Sequence, residues 1–194
     1  MTCWAIIPVK SADQAKLRLA EALSNQRRIA LVRLMQSHVF GTVAAASHIG
    51  QCCVVGTAEA QVPAGAVQIA DPGQGLNAAI TAGLAAAQSQ GAERVVVIHA
   101  DLPLVTVNDI ELLCLPPSGS MTIAPDRHGT GTNALSLPLP AAGGFTFAFG
   151  PDSLAQHLAE AERLGLAVEM IHSPGLARDV DEPPDLADTA GLME

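Results

Sequence analysis

The chain has 194 residues, 49% of them hydrophobic and only 15% charged, with no Tyr; this is the composition of one folded domain over 1–194 and excludes a disordered or low-complexity chain. Nineteen acidic against 10 basic residues give a net charge of −9, which excludes a general electrostatic attraction for nucleic acid or an anionic membrane. An anionic ligand must therefore be held by a few placed cations, a metal or backbone amides.

The N-terminal MTCWAIIPVK has no basic region ahead of its short apolar run, and no window reaches the length of a membrane span, so the cytoplasm is the expected compartment. Beyond it, short apolar runs alternate with helical patterns, the mark of an α/β layer fold. A first strand is expected over 3–9 and a long helix over about 25–46, with Ser24 or Asn25 as its N-cap. Strands at 51–56 and 66–70 lead into a Pro/Gly-rich joint at 71–75. The helix expected over 75–90 puts Leu76, Ala79, Ile80, Gly83, Leu84 and Ala87 on one face. Strands follow at 94–100, 120–125 and 133–139, with joints at 116–119 and 138–151. A helix over 152–164 ends at Gly165, and a last strand covers 167–172. The strands are mostly apolar throughout, which predicts a sheet covered on both faces. Cys3, Cys52, Cys53 and Cys114 show no metal-ligand spacing and read as reduced core thiols.

In an open α/β sheet, ligands collect outside the carboxyl ends of the strands, so the polar residues of interest are those that follow strands. Two familiar phosphate motifs fail. There is no GxxxxGK[ST], and GTGTNA (129–134) leads into LSLPLP, whose prolines forbid the helix that a dinucleotide fingerprint needs. After the first strand, VKSADQAKLRL places Lys10, Lys16 and Arg18 within nine residues; they suit a polyphosphate, or simply a solvated helix start. In DPGQGLNAAI (71–80), Gly73 and Gly75 let the backbone approach a ligand closely, or form an ordinary glycine turn.

Asp101 follows the strand at 94–100, and ARDVDEPPDL places Asp179 and Asp181 two apart, on one side of an extended segment. These three carboxylates are suited to Mg²⁺, although Asp181 and Glu182 could equally open a helix at Pro183. GTGTNAL and FGPDSLAQH both have the look of small-anion cradles, the second with Gly150 and Ser153 at a helix start. His99, His128 and His157 lie near these regions without forming a site by spacing, and no nucleophile elbow is present.

The segments IPVKSADQAKLRLA, DPGQGLN, HADLPLV, GTGTNAL, FGPDSLAQH and LARDVDEPPDL occur in that order, and in this the chain resembles the CofC/FbiD guanylyltransferases of coenzyme F-420 biosynthesis. The resemblance implies a single-domain, three-layer α/β/α nucleotidyltransferase, Rossmann-like and of the nucleotide-diphospho-sugar transferase type, with a mostly parallel central sheet. It implies transfer of GMP from GTP to a small phosphorylated carboxylic acid, with release of pyrophosphate. Mg²⁺ would then be held by Asp101, Asp179 and Asp181, and the phospho-acid by Thr132, Gly150 and Ser153. The triphosphate would meet Lys10, Lys16 and Arg18, which with Asp101 form the expected catalytic set. The stretch carrying Gly73, Gly75 and Asn77 would lie near the nucleoside. Phosphoenolpyruvate and 3-phospho-D-glycerate are the expected acceptors ahead of 2-phospho-L-lactate. A sugar 1-phosphate or molybdopterin acceptor, an inactive GTP-binding module and a homodimeric state all stay open.

Overall fold

The apolar runs pair into one sheet. In the computed structural model, which describes residues 2–58, 60–115 and 119–192, its strands are β1 (Cys3–Pro8), β2 (Ile49–Gly56), β3 (Val67–Ala70), β4 (Arg94–Ile98), β5 (Ser120–Pro125), β6 (Thr132–Pro138) and β7 (Ala167–Met170). Their order is β3-β2-β1-β4-β6-β5-β7. Strand β6 runs against both of its neighbours, and every other pairing is parallel. Of the joint expected at 116–119, residues 116–118 lie outside the described residues.

Five helices, α1 (Asn25–Ala45), α2 (Leu76–Ser89), α3 (Val107–Cys114), α4 (Ser153–Arg163) and α5 (Pro174–Ala177), cover the sheet, with 3-10 turns at Leu17–Glu21 and Pro183–Leu192. Alternate residues of the central strands divide the core into two layers. Ala5, Ile7, Val96 and Ile98 pack in one cluster with Val39, Val43, Ile110 and Leu113 of α1 and α3. Trp4, Ile6, Val95 and Val97 pack in the other, with Ile80 and Leu84 of α2 and with Phe145, Phe147 and Phe149. Each fully buried Val, Ile or Leu contributes about 1.5–3 kcal/mol. This is the expected three-layer arrangement. Helix α2 approaches so closely that a Cβ on Gly83 would lie 2.6 Å from the Ile6 Cγ2 methyl, which is why a glycine stands on its apolar face.

The helix α3 was not legible in the pattern. Pro103 interrupts the run before it, and its capping box uses Asp109 where Glu or Gln is usual: the Thr106 hydroxyl accepts from the Asp109 amide at 3.3 Å while the Asp109 carboxylate accepts from the Thr106 amide at 2.8 Å. The segment opening at Pro183 forms a 3-10 turn rather than an α-helix. All four cysteines are free thiols. Among the described residues, no helix is long and apolar enough to cross a membrane.

Candidate active site

Strands β1 and β4 are parallel neighbours, so the residues after both emerge at one edge of the sheet. Strand β6 is antiparallel to β4, with Ala134 opposite Ile98, so it begins where β4 ends. That topology brings Lys10, Lys16, Asp101, Thr132 and Asn133, distant in sequence, to the wall of one cleft of about 600 Å³. Arg18, Gly150, Ser153, Asp179 and Asp181 line the same cleft. Its volume is that of a small-molecule site.

Lys16 is the hub of the acidic side. Its ammonium donates to Asp101 Oδ2 and, at 2.5 Å, to Asp181 Oδ1. The two aspartates are joined through the backbone as well, because the Val180 amide donates to the Asp101 carbonyl at 3.2 Å. Asp179 is turned aside and accepts from Asn133 Nδ2 at 3.2 Å. Among the described residues, no group of three or more His, Cys, Asp or Glu is arranged to hold a metal ion. The Lys16 ammonium takes the place between Asp101 and Asp181, since buried carboxylates need a compensating cation. The donors still suit a hard divalent ion, for Asp101 Oδ1 is buried without a hydrogen-bond partner and carboxylate oxygen is what Mg²⁺ takes. Lys16 would have to withdraw to admit it.

Burial favours loss of the Lys16 proton, but the charges of Asp101 and Asp181 outweigh it and the pKa is raised. Burial likewise opposes ionisation of Asp101, yet Lys16 holds its carboxyl below the usual range. Asp179 is pushed up, by burial first and then by the charge of Asp101. His99 is pushed down by burial and packs 5.1 Å from the Phe149 ring.

Several supports of the site carry no motif. Arg28, only 3% exposed, donates from its guanidinium to the Asp13 carbonyl at 2.7 Å and to the Ala12 carbonyl at 3.3 Å, and also to the Ala15 carbonyl. It thereby pins the loop that delivers Lys16, whose backbone is left-handed at φ 53°. The signal was present: Arg28 shares the buried stripe of α1 with Leu31, Val32 and Met35, and an arginine on such a stripe needs acceptors. Asn133 donates to the Leu176 carbonyl at 3.0 Å as well as to Asp179. Arg18, by contrast, is exposed and reaches Glu182 at 3.7 Å.

The loops around the cleft make contacts of their own. Gly73, Gly75 and Asn77 do not line the cleft, whereas Leu76 between them does. Asn77 donates to the Phe149 carbonyl at 3.1 Å and accepts from the Phe149 amide at 2.8 Å, so it holds the loop that ends at Gly150. At the start of α4 the Ser153 and Leu154 amides already donate to the Gly150 and Thr130 carbonyls, at 3.3 and 3.0 Å, which leaves side-chain hydroxyls as the more available donors. A second recess of about 440 Å³, lined by Lys10, Ser11, Asp13, Gln14, Thr57 and Asp71, adjoins the cleft through Lys10 and Gln14.

Known proteins resemble this chain in sequence and in fold. The family model "Guanylyl transferase CofC like" matches residues 3–190. The phosphoenolpyruvate guanylyltransferase of Sphaerobacter thermophilus is 36% identical over 98% of this chain and 94% of its own length. The 2-phospho-L-lactate guanylyltransferase of Halorubrum lacusprofundi is also 36% identical, over 94% of this chain and 82% of its own. Among solved structures, a nucleotidyl transfer enzyme of Methanothermobacter superposes with a TM-score of 0.69 at 12% identity, covering 99% of this chain and 98% of its own; at that identity the likeness speaks for the fold alone.

Proposed function

Because the chain belongs to the CofC-like guanylyl transferases, we propose that it transfers GMP from GTP to a small phosphorylated carboxylic acid, phosphoenolpyruvate before 3-phospho-D-glycerate or 2-phospho-L-lactate, in the making of coenzyme F-420. One observation carries the reading: Lys16, Asp101 and Asp181 meet in the cleft that Thr132, Gly150 and Ser153 also line. A phosphoryl donor and an anionic acceptor can therefore be brought together in one place. The preference for phosphoenolpyruvate follows the relatives from Sphaerobacter thermophilus and Conexibacter woesei, at 36% and 37% identity.

In this reading an oxygen of the acid's phosphate attacks the α-phosphorus of GTP. A P–O bond forms there, the bond from the α-phosphorus to the β-bridging oxygen breaks, and pyrophosphate leaves with that electron pair. The attacking phosphate is largely ionised near neutral pH, so no strong general base is required, and His99 and His157, both held below their usual range by burial, are not asked to supply one. Lys16 leaves its carboxylate partners for the triphosphate, where its charge offsets the negative charge gathering on the α-phosphate oxygens. Lys10 and Arg18 neutralise the departing pyrophosphate, and the nucleoside extends toward the recess beside Lys10. Asp101, Asp179 and Asp181 would hold Mg²⁺, which when bound supplies Lewis-acid stabilisation of phosphoryl oxygens.

The test is pyrophosphate release from GTP and Mg²⁺ with each of the three acids in parallel, the product identified by mass. Turnover with phosphoenolpyruvate giving a guanylylated acid is the expected result. Turnover only with a sugar 1-phosphate, or tight GTP binding without turnover for any acid, would overturn it.

A further inference from the structure

The cradle that Thr132 and Gly150 offer is organised from behind by a histidine. His157 lies one helical turn beyond Ser153, so both side chains face the sheet, and it is fully buried. Its ring sits 4.7 Å from Phe149 and 5.8 Å from Phe145. The Ala148 amide donates to His157 Nε2 at 3.0 Å, and His157 Nδ1 lies 3.0 Å from Thr132 Oγ1.

These two contacts fix the direction of a hydrogen bond. A backbone amide is always a donor, so Nε2 must be the acceptor. A neutral imidazole carries one proton, which therefore sits on Nδ1 and is donated to Thr132 Oγ1. The threonine oxygen then uses a lone pair inward, and its own hydrogen is left for a partner on the cleft side. Thr132 is 3% exposed, so few directions are open to that hydrogen, and Thr132 lines the cleft.

We propose that His157 is a positioning residue for the acceptor: it locks the Thr132 hydroxyl as a hydrogen-bond donor into the cleft, matched to an acceptor-only oxygen of an ionised phosphate or carboxylate. This rests on the reading of Thr132 as part of the phospho-acid site. The same imidazole holds the Ala148 amide while Asn77 holds that of Phe149, so one histidine aligns the hydroxyl and the loop leading to Gly150. Neither role requires the histidine to touch substrate.

The experiment measures KM for the phospho-acid and for GTP in the parent, His157→Phe, His157→Asn, Thr132→Val and His157→Phe/Thr132→Val. Losing a hydrogen bond to a charged group predicts a rise of about tenfold or more in the acid KM for Thr132→Val and for His157→Phe. The GTP KM should stay within about twofold. The double variant should be no worse than the worse single one, because His157 acts through the hydroxyl that Thr132→Val has already removed. His157→Asn, whose amide N–H can take the place of Nδ1–H, should recover most of the loss. Multiplying effects in the double variant, or a GTP KM that rises in step with the acid KM, would overturn the role of His157 while leaving the acid site intact. An unchanged acid KM in Thr132→Val would overturn the site assignment, and this inference with it. Independently of any variant's folding, ¹⁵N chemical shifts of the parent protein should show His157 protonated at Nδ1 and bare at Nε2. The opposite tautomer would refute the inference outright.

Discussion

Replacing Lys16 with Met removes the only cation hydrogen-bonded to Asp101 and Asp181 among the described residues. At 2.5 Å from Asp181, and with an effective dielectric of about 20, one such contact is worth about 7 kcal/mol of gross Coulomb energy. Desolvation of the charges cancels most of it, and removing one member of a buried pair typically costs 3–5 kcal/mol. Asp181 is 48% exposed, so water screens that half of the triad and the lower figure applies, about 3 kcal/mol. For a chain of this size that lowers the melting temperature by roughly 6–12 °C. The assay is thermal unfolding by circular dichroism with and without millimolar Mg²⁺. The two carboxylates left without a cation should welcome a divalent ion once the ammonium is gone, so Mg²⁺ should restore part of the loss in Lys16→Met and shift the parent less. Pyrophosphate release should fall steeply in the same variant. An unchanged melting temperature, or equal Mg²⁺ shifts in both proteins, would refute the claim that Lys16 stands in the cation position.

Two further outcomes follow from the supports of the site. Asn77→Ala frees both ends of the Phe149 peptide, at about 1 kcal/mol for each hydrogen bond lost, and should raise the KM for the phospho-acid severalfold while that for GTP holds, as steady-state kinetics with each substrate varied would read. Burial lowers the His157 pKa to about 4, below its value of about 6.5 in the unfolded chain. Between those values the unfolded state binds more protons, so the contribution of His157 to stability is present above about pH 6.5 and is lost as pH falls through about 4, an effect of about 3 kcal/mol. Urea midpoints measured across that window should slope more gently in His157→Asn than in the parent.

The sheet was legible because each strand is a short apolar run with a turn signal after it, helices α2 and α4 because their apolar faces recur at helical period, and α1 from its long uninterrupted stretch behind a Ser24 or Asn25 cap. Asp101, Asp179 and Asp181 were legible as residues following strands or alternating along an extended segment, and all three line the cleft. What periodicity cannot supply is where a long side chain ends. Lys16 was readable as a cation in a loop, but its place between Asp101 and Asp181 depends on a left-handed backbone and on Arg28 behind it. The resemblance put Asn77 near the nucleoside, but its contact with the Phe149 backbone, 72 residues away in sequence, leaves no local pattern to read. His157 was legible as a residue near the anion cradles, but not its part there, which depends on the direction of two hydrogen bonds.

The central claim is that Asp101, at the carboxyl end of β4, belongs to the reacting centre. The most direct measurement is pyrophosphate release from GTP with phosphoenolpyruvate and Mg²⁺ by Asp101→Asn, checked for folding by circular dichroism. Asparagine keeps the shape and takes away the charge that Lys16 now balances, so a folded protein with release reduced by about a hundredfold or more is expected. A folded variant turning over near the parent rate would contradict the account.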